Sequence, residues 1–198
     1  MMNFRKDLRD SLLLLKGNRF YWSFCYVRSE ALTAVSRLVS QVCLSLCRCK
    51  ELGLLDRCTS LTPRFATNKE LLEIHTAEHV ENLESISQNL DSLEDNSALY
   101  DSVYFHPSTS NVARLAAGCT LELVNAILDG KIGNGMAIVR PPGHHAMQGE
   151  FCGYSFFNNA AIAAKLALNS GSINRILIVD FDVHHGQGTQ QAFYNDPR

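Results

Sequence analysis

Apolar residues along the chain fall into two rhythms, one helical and one of strands. Ala31, Val35, Leu38, Val39 and Val42 recur at helical spacing and predict a helix over about 30–47. The stretch 67–89 also reads as helix, with His75 and His79 four apart on one side in packing and surface roles. A polar loop over 91–97 leads to a short strand at 103–105, and a helix follows over about 111–128. Gly133-Asn134-Gly135 makes a turn before a strand at 136–139. The Ala-rich stretch 158–168 reads as a helix able to pack closely on a sheet, and Ile176-Leu177-Ile178-Val179 as a buried strand. Strand, helix and strand in that order predict an α/β fold: an open, mostly parallel sheet flanked by helices, with its site at the carboxyl ends of the strands.

Residues 1–49 stand apart as an atypical N-terminal segment. Leu12-Leu13-Leu14-Leu15 sits in charged surroundings there, followed by an aromatic cluster of Phe20, Tyr21, Trp22 and Phe24. The remainder, 50–198, carries the regular pattern. No uninterrupted apolar run reaches the ~18 residues of a membrane span.

The chemistry collects where the run 176–179 ends, in Asp180-Phe181-Asp182-Val183-His184-His185-Gly186. On a strand Asp182 and His184 point the same way, with Asp180 behind them on that face. Carboxylate oxygen plus imidazole nitrogen suits zinc or another borderline divalent ion. Asp180, deeper toward the apolar run, is costly to bury unless an imidazole, a cation or backbone N–H groups satisfy it. Candidate imidazoles lie in Arg140-Pro141-Pro142-Gly143-His144-His145, where the prolines stop any regular element and Gly143 permits a tight approach. Singly, an Asp at a strand end caps the next helix and a His packs in a core. Two His-His pairs near strand ends with two aspartates between them point instead to a metal or acid/base site.

Composition narrows the alternatives. A net charge of −2 over 198 residues, with no basic stripe, gives no general attraction to nucleic acid. Seven cysteines, Cys25, Cys43, Cys47, Cys49, Cys58, Cys119 and Cys152, are odd in number and lack paired Cys-x2-Cys spacing, which suits a reducing compartment. His75 is followed by Thr76, so the His-Glu-x-x-His metalloprotease pattern is absent. So is the Gly-x-Gly-x-x-Gly of dinucleotide binding.

The stretch from Asn134 through Arg140-Pro141-Pro142-Gly143-His144-His145-Ala146 resembles the tandem-histidine signature of zinc-dependent histone deacetylases. Asp180-Phe181-Asp182-Val183-His184-His185-Gly186-Gln187-Gly188-Thr189-Gln190 is similar to their metal-binding loop, in wording closest to class II enzymes. Gly153-Tyr154-Ser155-Phe156-Phe157-Asn158-Asn159 resembles the Gly-aromatic-Cys block, with Ser155 where Cys is usual. Leu71-Leu72-Glu73-Ile74-His75-Thr76-Ala77-Glu78-His79-Val80 resembles the early class II region, so the likeness runs from about Glu51 to the end.

The resemblance implies an arginase/deacetylase-like fold, incomplete at the C-terminus, and zinc-dependent hydrolysis of acetyl-lysine. It implies that Asp182 and His184 bind zinc, that His145 is the general base and that His144 is its electrostatic partner. Asp180 would orient His144 and help hold a structural potassium ion with Asp182 and backbone carbonyls around His184. Gln187 would sit beside His145 where class II enzymes usually have Asn and class I enzymes Asp. Tyr154 resembles an aromatic wall of the acetyl-lysine tunnel, Gly153 would offer its carbonyl to the substrate amide, and Ser102 resembles a rim contact. The family's third zinc ligand, an Asp, and its oxyanion donor, a Tyr, would align beyond Arg198. The implied partners are an acetylated protein, such as a histone tail or tubulin, and corepressor proteins, with no direct nucleic acid and no membrane. The implied residence is nucleus, cytoplasm or both. Two other readings stand beside this one: an inactive deacetylase fragment acting as an interaction module, and an arginase-like metal hydrolase, which would want a cluster richer in aspartates.

Overall fold

The computed structural model describes the backbone of residues 14–15, 22–26 and 36–198, and side chains from Leu44 onward. The expectations for 30–35 and for the aromatic side chains near Trp22 lie outside the described residues. Among them, a sheet forms from β1 (Leu14–Leu15), β2 (Trp22–Tyr26), β3 (Cys58–Ser60) and β4 (Asn134–Ile138) in the order β1-β4-β2-β3. β2 runs parallel to both β3 and β4, and only β1 is antiparallel. The helices are α1 (Ser36–Glu51), α2 (Asn68–Leu71), α3 (Ala77–Gln88), α4 (Leu93–Ala98), α5 (Thr109–Leu128), α6 (Asn159–Asn169) and α7 (Gln187–Phe193).

α5 is the spine. Ala113, Ala117, Leu121 and Val124 face the main core, shared with Leu71, Leu83, Phe105, Phe151, Phe157 and Ile162. Ala116, Cys119, Leu123 and Ile127 pack against Ala137 and Val139 at β4. By length and composition α5 is also apolar enough to cross a membrane. A helix apolar on opposite faces is equally the mark of a core helix, and here protein covers both faces.

The predicted helix over 67–89 is two helices. Thr67 and Glu70 form a reciprocal capping box that starts α2, with Glu70 N–H donating to Thr67 Oγ1 at 3.3 Å and Thr67 N–H to Glu70 at 2.7 Å. Thr76 then caps α3, its hydroxyl accepting from His79 N–H at 3.2 Å, so the hydroxyl outcompetes helix continuation. The polar stretch 91–97 is helical rather than loop: a 3-10 turn at Leu90–Ser92 runs into α4. Val103 and Phe105 are buried but form no strand, and Phe105 N–H bonds the Ser97 hydroxyl at 3.1 Å. Residues 176–179 likewise have no sheet partner among the described residues. Leu177 there is 81% exposed, and Ile176 N–H bonds the Arg198 carbonyl at 2.7 Å.

The break between α2 and α3 serves the loop that carries the tandem histidines. His75 and His79 are both buried, correcting the surface part of the sequence expectation, and their rings stack at 4.7 Å with planes 13° apart. His75 Nδ1–H donates to the Met147 carbonyl at 2.9 Å, while Nε2 accepts the Asn158 N–H at 2.9 Å. That pairing admits only the neutral ring, because Nε2 must keep its lone pair. Thr76 N–H adds a bond to the Gln148 carbonyl at 2.9 Å, and His79 one to the Phe156 carbonyl at 2.7 Å.

Burial, reinforced by the neighbouring His79, pushes the His75 ring down to about 3 from the ordinary 6.5, and burial lowers His79 too. Below pH 6.5 the unfolded chain therefore takes up a proton that the folded one refuses. The His75 contribution should be full above pH 6.5 and fall as pH drops toward 3, by up to ~1.4 kcal/mol per pH unit, with His79 acting in the same direction. His75→Asn, which keeps an N–H donor near Met147, should flatten that slope in urea titrations across the window. An unchanged slope would show that the ring titrates freely.

Candidate active site

The tandem histidines sit on a loop that follows β4, after a cis Arg140–Pro141 peptide. α7 grips this loop from one side: Gly188 N–H, in its first turn, donates to the His144 carbonyl at 2.9 Å. The junction of α2 and α3 grips it from the other side, through His75 and Thr76.

Each imidazole has its own acceptor. His144, 8% exposed, donates from Nδ1 to Asp180 Oδ2 at 2.7 Å. His145 donates from Nδ1 to Gln187 Oε1 at 2.7 Å. The rings lie 4.0 Å apart. A ring whose Nδ1 carries the proton leaves Nε2 free to accept one, the state a general base requires. The pairings implied for Asp180 with His144 and for Gln187 with His145 are thus both formed, and the longer Gln side chain reaches its imidazole.

Asp182 and His184 converge without a strand. Asp180 Oδ1 accepts the Asp182 N–H at 3.0 Å, and Asp182 Oδ1 accepts the His184 N–H at 2.8 Å, two successive carboxylate turns in place of sheet bonds. The second turn brings His184 Nδ1 to 2.8 Å from Asp182 Oδ1. The Asp182 carboxyl is 5% exposed, and burial by itself would raise it. The backbone N–H and ring of His184, with His144 nearby, outweigh burial and hold the carboxyl below the usual range. His184 is 60% exposed and lies across from His145, ring centres 5.9 Å apart.

A carboxylate and an imidazole nitrogen meeting at one point fit two positions of a tetrahedral zinc site, which takes three protein ligands when catalytic. Among the described residues no third His, Cys, Asp or Glu joins them. His185 faces away and bonds Gln190 at 2.8 Å. Asp196 is held by Lys165 at 3.4 Å and by Arg198 at 2.6 Å.

The other wall is a tight turn. Cys152 and Ser155 bond each other's backbones, Ser155 N–H to Cys152 carbonyl at 2.8 Å, with φ of +53° at Gly153 and +64° at Tyr154 between them. Positive φ at both central residues is the type I′ turn, costly for a bulky Tyr. It is braced from outside: Gly153 N–H donates to the Asp101 carbonyl at 3.0 Å and Tyr154 N–H to the Ser102 carbonyl at 2.9 Å. Ser102 itself has φ of +55°. Tyr154, 54% exposed, therefore stands beside Ser102. Ser155, fully buried, accepts the His145 N–H at 3.4 Å, a use that a hydroxyl serves in place of the usual thiol.

Sequence reasoning missed Cys152. Its sulfur accepts a hydrogen bond from Gln187 Nε2 at 3.4 Å, and no motif spacing signals that contact. It also missed why Gly186 is glycine: a Cβ there would lie 2.7 Å from Asp180 Oδ2. At Gly153 a Cβ would lie 2.2 Å from the His145 ring. Gly153→Ala should displace that ring and destabilise the fold by about 1–3 kcal/mol in chemical denaturation, the cost of overpacking. No change in stability would show that the ring does not rest on the turn.

Residues 32–198 match the histone deacetylase domain family. The chain is 46% identical over 154 residues to the polyamine deacetylase HDAC10 of Homo sapiens, covering 77% of this chain and 23% of that protein. It is 43% identical over 138 residues to the histone deacetylase HDA1 of Candida albicans, covering 68% of this chain and 17% of that one. In structure it resembles the crystal structure of the HDA15 HD domain, with a TM-score of 0.65 and 37% identity over 75% of this chain and 41% of that one. The chain thus spans about a quarter or less of the length of these curated relatives. Family match, identity and shared arginase/deacetylase-like fold agree: the chain belongs to the histone deacetylase domain family.

Proposed function

We propose that this chain carries the first part of a zinc-dependent amide hydrolase site that removes acetyl groups from protein lysines. The observation that carries the reading is the pair of independently oriented imidazoles, His144 on Asp180 and His145 on Gln187, facing the convergent Asp182 and His184. Asp182 and His184 would hold the zinc, which when bound polarises an amide carbonyl and acidifies water.

The chain's own residues divide the remaining work. His145 Nε2 takes the proton of the attacking water, and its Nδ1–H is held by Gln187. Asp180 fixes the adjacent His144 ring and balances positive charge there. The same His145 returns the proton to the departing amine. Tyr154 and the Gly153 carbonyl would flank an extended side chain bearing the acetyl group, with Ser102 at the rim. The carboxylates of Asp180 and Asp182, with carbonyls near His184, would hold the structural potassium ion. Acetylated polyamine is the competing substrate, since the human relative bears the name polyamine deacetylase. Histone tails or tubulin, in nucleus or cytoplasm, are the corresponding protein substrates, and corepressors the corresponding partners. In this division 50–198 forms the main deacetylase portion and 1–49 an atypical N-terminal segment that supplies β2 to the same sheet.

A second reading has its own support. With two zinc donors and no third among the described residues, the chain would act as a non-catalytic interaction module. Turnover by the purified full chain decides between them, assayed on an acetyl-lysine peptide and on an acetylated polyamine, with a chelator control. The hydrolase reading predicts chelator-sensitive turnover, faster on the peptide, that falls at least 100-fold in His145→Ala, the lower range for losing a general base. His145→Ala should retain zinc, while His184→Ala should lose zinc and turnover together. Folded protein without turnover would leave the interaction module standing.

A further inference from the structure

We infer that Cys152 is a positioning residue for the base: its sulfur fixes which end of the Gln187 amide faces His145, and so which ring nitrogen of His145 is free. This rests on the reading of His145 as the base. The network runs in one line, from Cys152 Sγ to Gln187 Nε2 at 3.4 Å, then from Gln187 Oε1 to His145 Nδ1 at 2.7 Å.

A primary amide is two-faced. With Oε1 toward the ring it takes the Nδ1–H and leaves Nε2 as the acceptor. Turned over, it would offer Nε2–H₂ to Nδ1 and move the ring proton to Nε2, where a base needs its lone pair. A carboxylate at this position would have no such choice, because it only accepts. Gln187 therefore needs something outside itself to set its orientation, and Cys152, a thiol able to donate or accept, touches its far end and here accepts from the N–H₂ group. The setting agrees with electrostatics: the Asp101 and Glu150 carboxylates act on Cys152, and that negative field favours the N–H₂ end of the amide on the same side. Cys152 also opens the type I′ turn whose Gly153 supports the His145 ring, so a single turn places both the ring and the group that orients its partner.

The test reads the tautomer directly, by ¹⁵N NMR of the histidine-labelled full chain at a pH where His145 is neutral. The native chain should show His145 protonated on Nδ1. Cys152→Ala should lower the ratio of Nδ1–H to Nε2–H by about fivefold, the scale of one weak hydrogen bond. In a Gln187→Glu background the same Cys152→Ala substitution should change nothing, because the carboxylate has no donor end to orient. An unchanged ratio in Cys152→Ala would overturn the inference. So would an equal change in both backgrounds, which would mark Cys152 as a packing residue. The readout does not depend on hydrolysis. If His145 is not the base, the tautomer would still respond as stated while His145→Ala kept its turnover.

Discussion

The imidazoles of this site are carried by a loop with no regular structure of its own, and its position is set by backbone groups that neighbours satisfy. The neutral His75 ring is the centre of that constraint. It donates to Met147 and accepts from Asn158, so one side chain ties the tandem-histidine loop to the start of α6. Asn158 in turn caps α6 through Ala161 N–H and reaches Thr189 in α7. Buried backbone donors and acceptors left unpaired are costly, which makes this bonding a strong constraint on the loop. The aromatic cluster of His79, Phe151, Phe105 and Phe156 fills the space behind it.

On this frame the site's electrostatics follow simply. Two acceptors of different kind, a carboxylate and an amide, hold two adjacent rings, and the uncharged partner is the one on His145. The Asp182–His184 pair is assembled by short-range carboxylate turns, so Asp182 is already committed to His184 through backbone and ring. Such local folding needs no sheet, which is why Asp182 and His184 meet although residues 176–179 have no strand partner among the described residues.

Much of this was legible in the chain. The helices near 111–128 and 158–168 follow from apolar periodicity, and the tandem-histidine and metal-loop motifs name the residues that meet. The segment 176–179 misled because period and apolar content report burial, whereas a strand also requires a neighbour for its backbone, and no pattern within the segment supplies one. The break at Thr76 was written locally, in a hydroxyl placed to cap His79, but an apolar rhythm that continues across the cap conceals it. Cys152 was illegible for a different reason. Its partner Gln187 is 35 positions away, and only the type I′ turn brings the sulfur to the amide.

The central claim is that Asp182 and His184 form the beginning of a zinc site. Cobalt(II) substitution tests it most directly, because a tetrahedral nitrogen-and-oxygen site gives intense visible bands that an octahedral or adventitious one does not. The account predicts one cobalt per folded full chain, with those bands abolished by His184→Ala and displaced by zinc. Cobalt that fails to bind the folded chain, or binds as well in His184→Ala, would contradict it.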